Sequence, residues 1–206
     1  MTPERYRAAV KRFILPKRFC GVAPLYLGVE LVLGITIFNK CGGAYGILAL
    51  FNGHPLEFAQ WVLYTWSIVC LAIYAQGLAK VHRPTLYTFS QVFIFFSVDT
   101  LLTCAFTVYF THEWFAANTT TRPPAAQGAS DAYEYSVSLL VTLASLVSRL
   151  YFNFIVGSFL QELFFRPAYT LDTDEVETEL RHSSLLRRLW LQNQHYCYIL
   201  SRRILS

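Results

Sequence analysis

Charged residues are scarce in this chain. Asp, Glu, Lys and Arg make up 15% of its 206 residues, whereas they make up about a quarter of an ordinary soluble domain. Hydrophobic residues account for 54% and aromatic residues for 17%. This balance argues against a soluble globular fold and predicts a membrane protein.

The residues needed for several kinds of catalytic or binding site are also missing. No pair of histidines has the His-Glu-x-x-His spacing of a metal-binding helix, and the glycine-rich stretch 41–46 lacks the Lys-Ser/Thr ending of a phosphate loop. The basic residues divide between two ends of the chain, which argues against a nucleic-acid module. We therefore predict no metal, no cofactor and no nucleic-acid partner.

Membrane lipid phosphotransferases commonly use two histidines, an aspartate and basic residues that hold phosphate. Here His54 lies in a Gly-His-Pro turn without the preceding Pro-Ser, and Ser148-Arg149 is not followed by a histidine at the required position. His54 is better explained as a residue that shapes a loop or contacts a partner. We predict that the chain is not an enzyme.

Four apolar runs are long enough to cross the hydrocarbon core as helices, which takes about 20 residues each. They cover about 19–38, 58–79, 86–110 and 137–160. The shorter apolar run 44–51 lies between glycine-containing turns and predicts an interfacial or re-entrant segment. The predicted fold is an all-α membrane protein, with a cytosolic N-terminus over 1–18, a four-span domain over 19–165 and a cytosolic tail over 166–206.

The positions of Lys and Arg predict the orientation, because positive residues near span ends stay on the cytoplasmic side. The predicted cytosolic segments contain most of them: Arg5, Arg7, Lys11, Arg12, Lys17, Arg18, Lys80, Arg83, Arg166, Arg181, Arg187, Arg188, Arg202 and Arg203. Both termini are therefore predicted to be cytosolic. The opposite face contains Asn118-Thr-Thr, a glycosylation pattern that is also short enough to occur by chance.

The two cytosolic ends have the pattern of amphipathic helices that lie on a membrane surface. In 3–15 and again in 183–205, apolar residues recur on one side and arginines or lysines on the other. We expect anionic lipids to attract both segments.

Three ionisable residues, Glu30, Asp99 and Arg149, fall well inside apolar runs. A charge at the bilayer centre costs about 2.5–3.5 kcal/mol on insertion scales, so such residues face a bundle interior, a cavity or a partner. Arg149 can pair with either acid, which leaves one carboxylate to be protonated, to share the guanidinium or to be satisfied by a second protein or a lipid. Both a structural role and a direct ligand role remain open.

The fourth run places small and hydrogen-bonding residues on one face, with Ser145, Arg149, Asn153 and Gly157 one turn apart. Membrane helices use such residues where they pack against other helices. That neighbour is either another helix of this chain or a helix of a partner.

A long block, from Glu30 to Glu57, resembles a block in the small regulatory subunits of fungal inositol phosphorylceramide synthase. Further matches are Gln76-Gly77, His82-x-Pro84, Phe89-Ser-Gln91, Asp99-Thr100, Thr111 to Phe115, Tyr133-Glu-Tyr135, Arg149 to Phe154, Gln161-Glu-Leu163 and Arg187 to Trp190. The resemblance covers about 16–190, which is nearly the whole chain.

The resemblance implies a noncatalytic subunit of a Golgi complex. Its catalytic partner transfers phosphoinositol from phosphatidylinositol to ceramide, so both lipids are expected nearby. With the fourth span and the 41–57 segment as the expected contact, the partner-contact candidates are Tyr45, His54, Pro55, Asn153 and Gly157. In this family, basic tail motifs are tied to coat-mediated Golgi retrieval, so the candidates for binding coat proteins are Arg187, Arg188, Arg202 and Arg203.

Two other classes remain as alternatives. A small membrane transporter would use Glu30, Asp99 and Arg149 as a relay, although the halves show no inverted repeat. A tetraspan scaffold would ordinarily carry a cysteine motif in the loop 111–134, which has no cysteine.

Overall fold

The computed structural model describes residues 15–45, 58–121, 131–165 and 185–205. These ranges contain five helices and no strand: α1 Leu25–Tyr45, α2 Phe58–Ala79, α3 Leu86–Thr121, α4 Asp131–Phe165 and α5 Leu185–Leu205. Four of them contain a stretch long and apolar enough to cross a membrane: Leu25–Gly43, Gln60–Ala79, Leu86–Tyr109 and Ser136–Phe165. The predicted all-α fold with four spans is confirmed.

The first span begins later than the predicted residue 19. Phe19 and Ala23 instead close a tight turn, in which the Phe19 amide donates to the Ala23 carbonyl at 2.9 Å. Cys20 and Gly21 both have positive φ, at 49° and 77°, a backbone conformation that glycine adopts readily. Pro24 follows, and α1 begins at Leu25. Proline suits the start of a helix because its missing N–H is not needed there.

The turn before α1 also explains the glycine at position 28. A Cβ at this position would lie 2.7 Å from the Phe19 ring. Gly28 therefore makes room for the chain's own preceding turn.

Helices α3 and α4 are longer than the apolar runs that predicted them. They contain 36 and 35 residues, which corresponds to roughly 50 Å at 1.5 Å per residue, against a hydrocarbon core of about 30 Å. Both helices continue past the apolar stretch at the end predicted to be lumenal. Polar residues in water do not by themselves stop a helix. Hydropathy therefore predicted the positions of the spans more accurately than it predicted where the helices end.

Three hydroxyl groups inside the spans donate to the backbone of their own helix. Thr36 Oγ1 donates to the Val32 carbonyl at 2.7 Å, Ser67 Oγ to Leu63 at 3.0 Å, and Ser158 Oγ to Phe154 at 2.7 Å. These bonds satisfy the hydroxyls locally, as a medium without water requires. These three polar residues therefore need no partner outside their helix.

The chain divides into two compact units, one formed by 1–96 and 154–206 and the other by 97–153. The first unit has an aromatic and small-residue core. The Phe89 and Phe159 rings pack edge to face at 4.9 Å, and Cβ atoms built at Gly77 and Gly157 would meet Val92 and Phe93 at 2.7 and 3.1 Å. Small residues thus allow α2 and α4 to approach α3 closely in this unit.

Candidate functional site

An ion pair joins α3 and α4 within the unit formed by 97–153. The Arg149 guanidinium donates from Nη1 to Asp99 Oδ2 at 3.3 Å. The two side chains are 17% and 3% exposed. The carboxylate is thus almost fully covered, and the arginine satisfies it where water cannot. Of the two pairings that the sequence left open, the structure forms Arg149 with Asp99.

The polar face of α4 packs against α3. Asn153 Oδ1 accepts a hydrogen bond from Ser97 Oγ at 3.0 Å, again within 97–153. In the other unit, Gly157 lies under the Phe93 ring. Ser145, at the far end of the predicted face, is exposed. The partner-contact role of Asn153 and Gly157 remains a prediction, but leucine at either position would alter the chain's own packing as well.

The other intramembrane acid, Glu30, is in a different situation. It lies in the second turn of α1 and is partly buried. No hydrogen bond or ion pair joins it to any residue in the described ranges. One turn further along α1, Gly34 has open space beside it, since no atom of another described residue, apart from the neighbouring helix backbone, lies within 4 Å of a Cβ built there. Glu30 is therefore an ionisable group in an apolar helix whose partner the described chain does not provide.

The C-terminal helix α5 is held against the rest of the first unit by hydrogen bonds of amide side chains. Sequence reasoning missed these contacts. Gln91 Nε2 donates to Asn193 Oδ1 at 3.2 Å, and Gln194 Nε2 donates back to Gln91 Oε1 at 3.0 Å. Trp190 Nε1 donates to Gln76 Oε1 at 3.2 Å. We call these five residues the amide clasp. A glutamine at 91 within an apolar run was the available signal, since a buried amide needs partners.

Aromatic contacts and a buried thiol complete this attachment of α5. The Tyr87 ring packs edge to face on Tyr198 at 5.4 Å, and Phe164 lies 5.9 Å from Tyr198. Cys197 is buried, and burial raises the pKa of its thiol to about 11. Another face of α5 exposes apolar side chains, among them Leu185, Leu189, Tyr196 and Leu200. The tail is thus an amphipathic helix that docks on the bundle through one face.

The remaining predicted residues divide by location. The four sorting candidates Arg187, Arg188, Arg202 and Arg203 are exposed on α5. Asn118 belongs to the last part of α3, and Tyr45 is the last residue of α1. The segment predicted to be re-entrant begins inside α1 at residue 44, and its remainder lies outside the described residues, together with His54 and Pro55.

Within the part of the chain that the structure describes, no three His, Cys, Asp or Glu side chains come together in a group that could hold a metal ion. None of the five cysteines, all of which lie in the described ranges, forms a disulfide bond, and Cys20 and Cys41 are exposed. The chemistry of the described residues is therefore that of helix packing, side-chain hydrogen bonds, the Arg149–Asp99 ion pair and the acid Glu30 without a described partner.

Comparison with known proteins identifies the family. A family model described as "Inositolphosphorylceramide synthase subunit Kei1" matches residues 18–130. The chain belongs to the Kei1 family. It is 45% identical over 214 aligned residues to the inositol phosphorylceramide synthase regulatory subunit KEI1 of Saccharomyces cerevisiae (strain ATCC 204508 / S288c), covering 93% of this chain and 97% of that one.

A second member of the Kei1 family, the inositol phosphorylceramide synthase regulatory subunit kei1 of Schizosaccharomyces pombe (strain 972 / ATCC 24843), is more distant. It is 26% identical over 172 residues, covering 77% of this chain and 72% of that one. No solved structure matches the chain. The predicted family is confirmed.

Proposed function

We propose that this chain is a noncatalytic regulatory subunit of inositol phosphorylceramide synthase. The observation that supports this most strongly is the end-to-end similarity to the Saccharomyces cerevisiae regulatory subunit, at 45% identity over 93% of this chain. The partner is then the catalytic subunit, which transfers phosphoinositol from phosphatidylinositol to ceramide. The chain itself contributes helices that support the active arrangement of that partner.

A regulatory subunit of this kind acts by binding two arrangements of its partner with different affinities. If it binds the active arrangement of the catalytic subunit more tightly than the inactive one, it shifts the population toward activity, and 1–3 kcal/mol is an ordinary size for such coupling. Large uncovered helix surfaces support this role. In an 18-residue apolar window of the Ser136–Phe165 span, 11% of the residues are buried by the described chain, compared with 33% in such a window of Leu25–Gly43.

Reconstitution tests the function directly. Phosphoinositol transfer to ceramide is measured in detergent for this chain alone, for the catalytic subunit alone and for the two purified together, and their co-purification is scored in parallel. We expect no activity from this chain alone, weak activity from the catalytic subunit and full activity from the pair. Equal activity with and without this chain, together with no co-purification, would contradict the proposal.

Localisation to the Golgi membrane, with both termini in the cytosol, is part of the proposal. The exposure of Arg187, Arg188, Arg202 and Arg203 on α5 supports their availability to coat proteins. Changing both pairs to alanine should move a tagged chain out of the Golgi, as seen by fluorescence microscopy. Unchanged localisation of the quadruple variant would remove the sorting role but not the regulatory one.

Phosphatidylinositol and ceramide are the lipids expected near the chain within this complex. A photoactivatable analogue of either lipid, added to the co-purified pair, tests this by labelling. Labelling of the catalytic subunit alone would place both lipids away from this chain.

A further inference from the structure

We propose that one stripe of α1, centred on Glu30, is a docking surface for a transmembrane helix of the catalytic subunit that carries a lysine or arginine. The stripe consists of Leu27, Glu30, Gly34, Phe38 and Cys41, and we call it the α1 seam. The proposal rests on the proposed function, because it assigns a surface and a partner chemistry to that association.

The spacing of the seam places its members on one face of the helix. Positions three and four residues apart are neighbours on a helix surface, and the seam follows this spacing from 27 to 41. Leu27 is 46% exposed and Phe38 is 84% exposed, and Cys41 is exposed as well. The buried face of α1 lies elsewhere, at Val29, Val32, Leu33 and Thr36. The seam is therefore the side of α1 that the described part of the chain does not use for packing.

The carboxylate of Glu30 determines the chemistry of the occupant. Glu30 lies about 8 Å along the helix from Leu25, at 1.5 Å per residue, inside the span Leu25–Gly43. No residue in the described ranges forms a hydrogen bond or ion pair with it. A charge within an apolar span needs a cavity, an internal partner or an external one. The complement of a carboxylate in such a place is a basic side chain.

The open space at Gly34 supports a helix as the occupant. No atom of the described chain lies within 4 Å of a Cβ built at Gly34, whereas Cβ atoms at Gly28, Gly77 and Gly157 would each meet a side chain. Glycines at those three positions make room for the chain's own groups. Small residues on the outer face of a membrane helix let a second backbone approach closely, which places a partner's side chain within reach of Glu30.

Site-specific photo-crosslinking tests the surface. Benzoylphenylalanine replaces Leu27 or Phe38 in the seam, or Val69 on the exposed face of α2 as the matched control, in the full chain co-expressed with the catalytic subunit. We expect a crosslink to the catalytic subunit from 27 and 38 but not from 69. A crosslink to a second copy of this chain, labelling of lipid only, or equal products from all three positions would overturn the proposal.

Substitution tests the chemistry. Because Glu30→Gln removes the charge that strengthens a hydrogen bond to a basic side chain, it should weaken co-purification about tenfold or more. Glu30→Asp should restore part of this loss. Wild-type association of Glu30→Gln would overturn the ion pair, because the neutral amide keeps the shape of the side chain and removes its charge.

Gly34→Leu tests the close approach, since no side chain of the described residues lies within 4 Å of a Cβ at this position. It should reduce co-purification while Ala72→Leu, at an exposed position of α2, leaves it unchanged. If both variants co-purify equally well with the catalytic subunit, the proposed packing of a partner helix at Gly34 is wrong. If the wild-type chain does not co-purify with the catalytic subunit at all, the proposed function fails, and that result is distinct from a wild-type complex that tolerates every seam variant.

Discussion

The two intramembrane acids of this chain have opposite surroundings. Asp99 is 3% exposed and accepts a hydrogen bond from Arg149 on the neighbouring helix. Glu30 is partly buried and has no hydrogen bond or ion pair with any described residue, next to a glycine with open space beside it. Similar carboxylates within apolar spans thus have different partners. The first is satisfied inside the described chain, and we propose that the second is satisfied by another molecule.

Because of this difference, we expect the Asp99 site to affect the stability of the folded chain and the Glu30 site to affect association with the catalytic subunit. Removing a partner of Asp99 leaves a charge inside the folded chain, so the cost falls on folding. Removing Glu30 leaves nothing unpaired within the described chain, so the cost falls on the complex. Variants of the two sites should therefore change different measurements.

The largest effect is expected from Arg149→Leu, which leaves Asp99 without its guanidinium. The free energy of unfolding should fall by about 2.5–3.5 kcal/mol, the cost of a charge in the bilayer interior on insertion scales. Denaturant unfolding of the purified chain in detergent measures it. The control is Ser148→Ala, which removes an exposed hydroxyl that bonds only its own helix, to the Ala144 carbonyl. Equal stability of the two variants would show that the ion pair contributes nothing to folding.

The amide clasp should give the next largest effect. Gln91→Leu leaves the buried amide of Gln194 without its acceptor and removes the donor to Asn193 Oδ1, which costs about 1–3 kcal/mol. Hydrogen exchange over 185–205 should accelerate, because α5 loses its attachment to the rest of the first unit. Gln192→Leu, at an exposed position of the same helix, is the matched control. Unchanged exchange in Gln91→Leu would mean that the aromatic contacts alone hold α5.

The Cys197 thiol offers a second measurement of the same attachment. Since burial raises its pKa to about 11, roughly one molecule in a thousand carries the reactive thiolate at pH 8. We expect maleimide to label Cys197 much more slowly than the exposed Cys20, with a rate that rises as the pH approaches 11. Maleimide should label Cys197 faster in the Gln91→Leu variant than in the wild-type chain. Equal rates at the two cysteines in the wild-type chain would contradict a docked α5.

Overpacking at Gly157 should have a smaller effect than loss of the ion pair. A Cβ there would lie 3.1 Å from Phe93, so Gly157→Ala forces a small shift of the ring and should cost about 1 kcal/mol, at the low end for overpacked cores. The thermal unfolding midpoint of the chain measures this, with Gly42→Ala as the control because the space beside Gly42 is open. Indistinguishable midpoints would mean that α4 moves away from α3 without cost.

The smallest effect on the chain itself is expected from Glu30→Gln. Its free energy of unfolding in detergent should change by less than about 0.5 kcal/mol, as for a surface position without partners. The same denaturant unfolding experiment as for Arg149→Leu gives the comparison. A loss as large as that of Arg149→Leu would show that Glu30 has a structural partner within the subunit.

The sequence predicted the four spans correctly because length and hydropathy are properties of each segment alone. It also predicted that Arg149 pairs with an intramembrane acid, but it could not choose between Asp99 and Glu30, since that choice depends on which helices are neighbours. The start of α1 at Leu25 depends on the Phe19 turn, and hydropathy does not report turn geometry.

The amide clasp shows a different limit. The 183–205 pattern predicted an amphipathic helix, and α5 is one, but the pattern alone suggested only a membrane surface as its neighbour. Its docked face uses Gln194 and Asn193 on Gln91, three polar residues separated by about a hundred positions in the chain. Such a contact depends on tertiary structure. A glutamine in an apolar run indicates that a partner is needed, but no local pattern indicates which residue that partner is.

The most direct test applies two measurements to two neutralising variants, Asp99→Asn and Glu30→Gln. Each is assayed for the unfolding midpoint of the chain alone and for the amount of catalytic subunit that co-purifies with an equal amount of folded chain. Our account predicts a lower midpoint with retained association for Asp99→Asn, and an unchanged midpoint with association weakened about tenfold for Glu30→Gln. A lowered midpoint and wild-type association for Glu30→Gln would contradict it.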